Sequence, residues 1–143
     1  REKKYTEPIN VIIPDRELTE KGEKMIIGKH FVFDSSHQLP DEECYGKCRN
    51  LHGHTYHLIV KIEGEVNSKG WICNFKDIKE IVSREVIDVL DHSHLNDHIN
   101  LPTAEMILFW IREHIETKLR YQNIRLHSLM LYETPTSFAE LIC

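Results

Sequence analysis

Hydrophobic and polar positions alternate with period two over parts of this chain and recur at helical spacing over others. From Ile26 to His37, Phe31, Phe33 and Ser35 fall in phase with His37, which predicts a strand with an imidazole at the end of one face. From His52 to Glu65 the alternation is unbroken. His52, His54, Tyr56, Leu58, Val60 and Ile62 share one face, while Thr55, His57, Ile59, Lys61 and Glu63 share the other. Gln38–Leu51, between these strands, is a polar loop carrying Pro40, Gly46, Cys44 and Cys48, and Asn67-Ser68-Lys69-Gly70 predicts a turn. Phe75, Ile78, Ile81, Val82, Val86, Val89 and Leu90 then follow helical spacing behind Asn74, an N-capping side chain. A second helix is predicted behind the N-cap Thr103. It has Glu105 in its first turn and an apolar stripe of Ile107, Trp110, Ile111, Ile115 and Leu119. Residues 124–133 return to strand, Pro135 breaks it, and residues 138–142 add another.

Strands, then helices, then strands predict an α+β fold with helices on one face of an antiparallel sheet. Residues 1–25 are polar apart from Val11-Ile12-Ile13 and are broken by Pro8 and Pro14, so they read as an extended N-terminal arm. Residues 26–143 read as one domain, in keeping with a length of 143 residues. Lys and Arg number 18 against 23 Asp and Glu, a net charge of −5, and no basic cluster is present. That balance argues against nucleic acid as a partner. No apolar run approaches the ~18 residues of a membrane span. The lack of a leader pattern points to the cytoplasm, where the cysteines would stay reduced. One oddity of composition remains, the ten histidines.

His52-Gly53-His54 places two imidazoles on one strand face, about two residue rises of ~3.3 Å apart. The pair continues the apolar face of Leu58, Val60 and Ile62, where unpartnered imidazoles would be costly to bury. A third imidazole from His37 would complete a His₃ set, the ligand pattern that leaves zinc an open position. A rival reading is a closed structural site made of Cys44, Cys48, His52 and His54, which would suit a non-catalytic, zinc-stabilised binding module. Cys48 reads as either a further ligand or a reactive thiolate. Asp91-His92 offers a carboxylate and an imidazole for proton transfer, or simply a helix C-terminus whose dipole the histidine complements. Glu133 is either a carboxylate for a planar N–H edge or a solvated strand end.

Taken in order, six segments resemble the 6-pyruvoyltetrahydropterin synthase superfamily over about residues 28–142. They are Phe33-Asp34-Ser35-Ser36-His37, Cys48-Arg49-Asn50-Leu51-His52-Gly53-His54, Leu90-Asp91-His92, Leu95-Asn96-Asp97, Pro102-Thr103-Ala104-Glu105 and Glu133-Thr134. The short spacing from Cys48 to His52 resembles the carboxy-forming bacterial branch that serves queuosine and 7-deazaguanine synthesis; the pyruvoyl-forming branch is the alternative. The resemblance implies the tunnelling T-fold, a four-stranded antiparallel sheet with two helices on one face. It also implies a homohexamer, a dimer of trimers, with active sites at subunit interfaces. His37, His52 and His54 would hold Zn2+, and Cys48 would accept a proton with Asp91 and His92 as relay. Glu133 would anchor the pterin and take part in the relay, with Thr103 and Glu105 as further contacts. The implied substrate is a pterin triphosphate, with Lys29, Lys47 or Arg49 as candidate triphosphate contacts. Asn74 stands where many members carry Asp, a change that retains the helix cap.

Overall fold

The computed structural model describes residues 22–121 and 123–143. The arm predicted at residues 1–25 therefore lies almost wholly outside the described residues. Strand β1, Lys24–His37, begins two residues before the periodicity suggested and pairs antiparallel with β2, His52–Glu65. Their register sets Phe31 opposite Leu58, Phe33 opposite Tyr56 and His37 opposite His52. The in-phase residues of both strands thus lie on one buried face.

The loop between them is more ordered than its polarity suggested. Glu43–Arg49 winds as 3₁₀ turns that kink at Gly46, whose φ of +55° lies in the region open to glycine. Leu39 N–H donates to the Cys48 carbonyl at 2.9 Å and ties the end of the loop back to its start. The turn at residues 67–70 closes with Gly70 N–H donating to the Asn67 carbonyl at 2.9 Å.

The first helix, α1, comprises Phe75–Val82, a π-helical turn at Ser83–Ile87 and Asp88–Leu90. Asn74 caps it by accepting from Lys76 N–H at 2.9 Å. Ile78, Val82, Val86 and Leu90 are fully buried, but Phe75, placed in the stripe by its spacing, sits at the open first turn and is 50% exposed. Helix α2, Ala104–Ile115, is capped by Thr103, whose hydroxyl accepts from Met106 N–H. Ile107, Leu108, Ile111 and Ile115 pack against the sheet, with Trp110 half-buried at the margin.

Strand β4, Ile124–Thr134, pairs with β2, and β5, Ser137–Ile142, pairs with β4, both antiparallel. These four strands are those the pattern predicted. A fifth, β3 (Ser93–His94), joins the edge of β1 in parallel and completes the order β3-β1-β2-β4-β5. Two residues carry no periodicity, so nothing in the pattern marked it. Both helices cover one face of the sheet. Among the described residues nothing covers the other face, which exposes Ile26, Val32, Phe138 and Ile142. No helix among the described residues is long and apolar enough to cross a membrane.

Candidate metal centre and active site

At the end of β1 the buried face passes from Phe33 through Ser35 to His37, which is 1% exposed. The paired strand brings His52 and His54 to the same corner, and the ring nitrogens of the three lie within 4.8 Å of one another. Gly53 lets β1 pass close by, since a Cβ there would lie 3.2 Å from the Ser35 carbonyl. His37 Nδ1 is 2.8 Å from the carbonyl of Pro102, and His52 Nδ1 is 2.7 Å from that of Asn50. These contacts commit each Nδ1 as a donor and leave the lone pair on Nε2. Burial lowers the basicity of His37 and His54 below the ordinary imidazole value and keeps them neutral.

Two consequences test the fit to a metal. His37 Nε2 and His52 Nε2 face each other at 3.0 Å, a contact between two lone pairs that a cation between them would make favourable. His54 Nε2 is buried with no hydrogen-bond partner. Three imidazoles converging on one point, two of them oriented from behind by carbonyls, fit a metal ion of the zinc type. The rival set is not assembled. Cys44 is exposed, and neither it nor Cys48 joins a cluster of potential ligands among the described residues.

Glu133, near the end of β4, places Oε2 3.9 Å from both His37 Nε2 and His54 Nε2. Beside it lies a cavity of about 260 Å³ lined by Leu39, Cys48, Thr103, Ala104, Glu105, Glu133, Ser137, Phe138 and Ala139. The N-terminus of α2 serves both places: Pro102 gives its carbonyl to His37, while Thr103 and Glu105 enter the cavity. Tyr56 lies beneath, its hydroxyl 3.4 Å from His37 Nδ1. Burial, then the negative charges of Glu133 and Cys48, push its phenol well above the ordinary range, so it stays protonated.

Asp91 and His92 sit elsewhere. His92 lines a different cavity of about 470 Å³, with Asp34, Ser36, Gly53, His54 and Thr55. Its side chain is 79% exposed, and its φ of +57° is left-handed, a conformation that costs roughly 1–2 kcal/mol for a residue with a Cβ. Asp91 Oδ2 holds His92 Nδ1 at 3.0 Å. The Asp34 backbone N–H, followed by the His92 imidazole, holds the Asp91 carboxyl below the usual carboxylate range. Of the predicted site residues, one cleft therefore gathers Cys48, Thr103, Glu105 and Glu133 beside the imidazole centre, and it does not gather Asp91 or His92. Of the candidate triphosphate contacts, Arg49 is engaged within its own loop, with Gly46 and Asp41. Spacing put Tyr56 next in phase with His54, but it gave no signal for Asp34 and Thr55 beside Asp91, because these meet only once the strands have paired.

Inward-facing imidazoles, with a thiol and a carboxylate in the adjoining cleft, are the parts that metal-assisted acid–base chemistry on a small molecule requires. The chain belongs to the 6-pyruvoyl tetrahydropterin synthase family, whose model matches residues 26–142. A Haemophilus influenzae protein named 6-carboxy-5,6,7,8-tetrahydropterin synthase is 32% identical over 137 residues, covering 80% of this chain and 96% of that one. A Synechocystis protein of the same name is 38% identical over 122 residues, covering 80% and 90%. A Pyrococcus furiosus protein named dihydroneopterin monophosphate aldolase is 39% identical over 101 residues, covering 71% and 82%. In fold, the chain is similar to the Caenorhabditis elegans 6-pyruvoyl tetrahydropterin synthase structure, with a TM-score of 0.77 at 24% identity, covering 85% of this chain and 96% of that one.

Proposed function

We propose that this chain is a zinc-dependent lyase. It converts 7,8-dihydroneopterin triphosphate to 6-carboxy-5,6,7,8-tetrahydropterin, with release of acetaldehyde and triphosphate, for queuosine and 7-deazaguanine synthesis. The observation that carries this reading is the cleft shared by Cys48 and Glu133, whose carboxylate lies 3.9 Å from the His37 and His54 imidazoles. The two relatives named for this product and the short spacing from Cys48 to His52 favour the carboxy-forming branch.

Zn2+ held by His37, His52 and His54 would supply Lewis-acid stabilisation of negative charge developing on the substrate's side chain. The protein's own groups do the rest. Glu133 accepts paired hydrogen bonds from the 2-amino group and ring N–H of the pterin, a charge-assisted contact that fixes the ring. Thr103 and Glu105 bound the same cleft and contact the ring from the end of α2. Cys48, as thiolate, takes a proton from the substrate side chain, and His92 receives that proton from the thiol. Asp91 keeps the His92 ring oriented through Nδ1.

Cys48 and His92 line separate cavities, so the relay is completed between copies, with Asp91-His92 of one chain meeting the Cys48 cleft of another. The sheet face that no described residue covers, with Ile26, Val32, Phe138 and Ile142 exposed on it, supports such an assembly, and the homohexamer is the form we propose. The deciding experiment is incubation of the zinc-loaded protein with 7,8-dihydroneopterin triphosphate, followed by mass analysis of the pterin and an acetaldehyde assay. The carboxy product with acetaldehyde supports the assignment. A pyruvoyl product, or aldol cleavage with the phosphate retained, overturns the branch. A protein that binds zinc and turns over none of these substrates returns the chain to the binding-module reading.

A further inference from the structure

Asp34 touches both Asp91 and His92, and through more than one group. Its backbone N–H donates to Asp91 Oδ1 at 2.9 Å, and its carbonyl accepts from His92 N–H at 2.6 Å. Its own carboxylate is held in place by Thr55, directly opposite on β2, whose hydroxyl donates to Asp34 Oδ1 at 2.6 Å. That carboxylate lies within 4.8 Å of both the Asp91 carboxylate and a ring nitrogen of His92. Two carboxylates at such range repel each other and gain only when a positive charge sits with them. The imidazole they flank is the group that can acquire one.

We propose that Asp34 is a positioning residue for His92. Its backbone holds the left-handed turn in place, and its carboxylate, fixed by Thr55, joins Asp91 in stabilising the ring as it becomes positively charged. This rests on the reading of His92 as proton acceptor. In that step the S–H bond of Cys48 breaks and an N–H bond forms on His92, leaving a thiolate and an imidazolium. A second fixed negative charge favours the imidazolium side of that transfer without touching the substrate. The backbone contacts are available to any residue at position 34, so the contribution of the carboxylate can be removed alone.

The test uses the full chain loaded with zinc and its triphosphate substrate. Asp34→Asn retains an oxygen for the Thr55 hydroxyl but removes the charge. We expect kcat to fall about 10- to 100-fold, with KM, metal content and Tm unchanged. In a His92→Ala background the same substitution should have no further effect on kcat, because its partner is gone. Thr55→Ser keeps the hydroxyl and should match the parent, whereas Thr55→Val should lower kcat alone. Wild-type kcat in Asp34→Asn, or an equal loss in the His92→Ala background, overturns the proposal. If Asp34→Asn fails to fold, the Thr55 pair decides, and equal kcat in Ser and Val variants overturns it. The reading beneath is separable: a fully active His92→Ala protein overturns the relay itself, whereas an inactive one beside a fully active Asp34→Asn overturns only the role of Asp34.

Discussion

The two faces of β1 carry two different kinds of site. On the buried face, Ser35 and His37 sit against the core, and His37 is 1% exposed. On the opposite face, Asp34 and Ser36 border the cavity of His92, a side chain 79% exposed. The imidazole centre is organised by the packing that stabilises the fold: Tyr56 lies beneath it and Pro102 supplies an orienting carbonyl. The Asp91-His92 pair is organised by hydrogen bonds to a strand edge and held in a strained turn with little around it. The contrast teaches that one half of the proposed machinery is enclosed by the core of the chain, while the other half is presented outward.

That contrast can be broken at several points. The largest effects belong to the buried side. His52→Ala should remove the metal and turnover together, and metal content by elemental analysis checks it; full occupancy rejects His52 as a ligand. Cys48→Ala should lower turnover by ~10²–10⁴-fold or more and keep the metal, whereas metal loss would favour a structural cysteine site. A mixture of Cys48→Ala and His92→Ala chains, dissociated and reassembled, should recover turnover that neither parent has. Failure to complement would place both groups in one chain's site.

A fourth prediction follows from acid. Burial lowers the folded-state pKa of His37 and His54, so the unfolded chain takes up protons first as pH falls below the ordinary value of 6.5. Their contribution is fully present above pH 6.5 and is lost as pH falls through the lower folded values. Protons also compete with metal for the same lone pairs. Acidification should therefore release metal and lower Tm together, which elemental analysis and calorimetry across a pH series would read. Metal retained at low pH would contradict the three-imidazole assignment. The smallest effect separates stability from chemistry. A Cβ at Gly64 would lie 2.8 Å from Ile72 Cγ2 and 3.0 Å from the Asn123 carbonyl. Gly64→Ala should destabilise by about 1–3 kcal/mol, measured by denaturant unfolding, with metal content unchanged. Loss of metal would show that the centre depends on distant packing.

The chain itself determined which residues share a face. Period two put His37 in phase with Phe33, and His52 and His54 in phase with Tyr56, because successive side chains of any strand point to opposite sides. Caps at Asn74 and Thr103 were legible for a similar reason, since the first turn of a helix leaves N–H groups that these side chains satisfy. The tertiary structure decided which faces meet. The register of β1 on β2 brought Thr55 to Asp34, and the return of the chain after α1 brought Asp91 and His92 to the same strand edge. A polar residue on an uncovered face looks the same in sequence whether it meets solvent or a partner some 57 positions away. Local patterns are written by backbone geometry, which every residue carries with it. Such long-range contacts exist only once the strands have paired and the helices have packed.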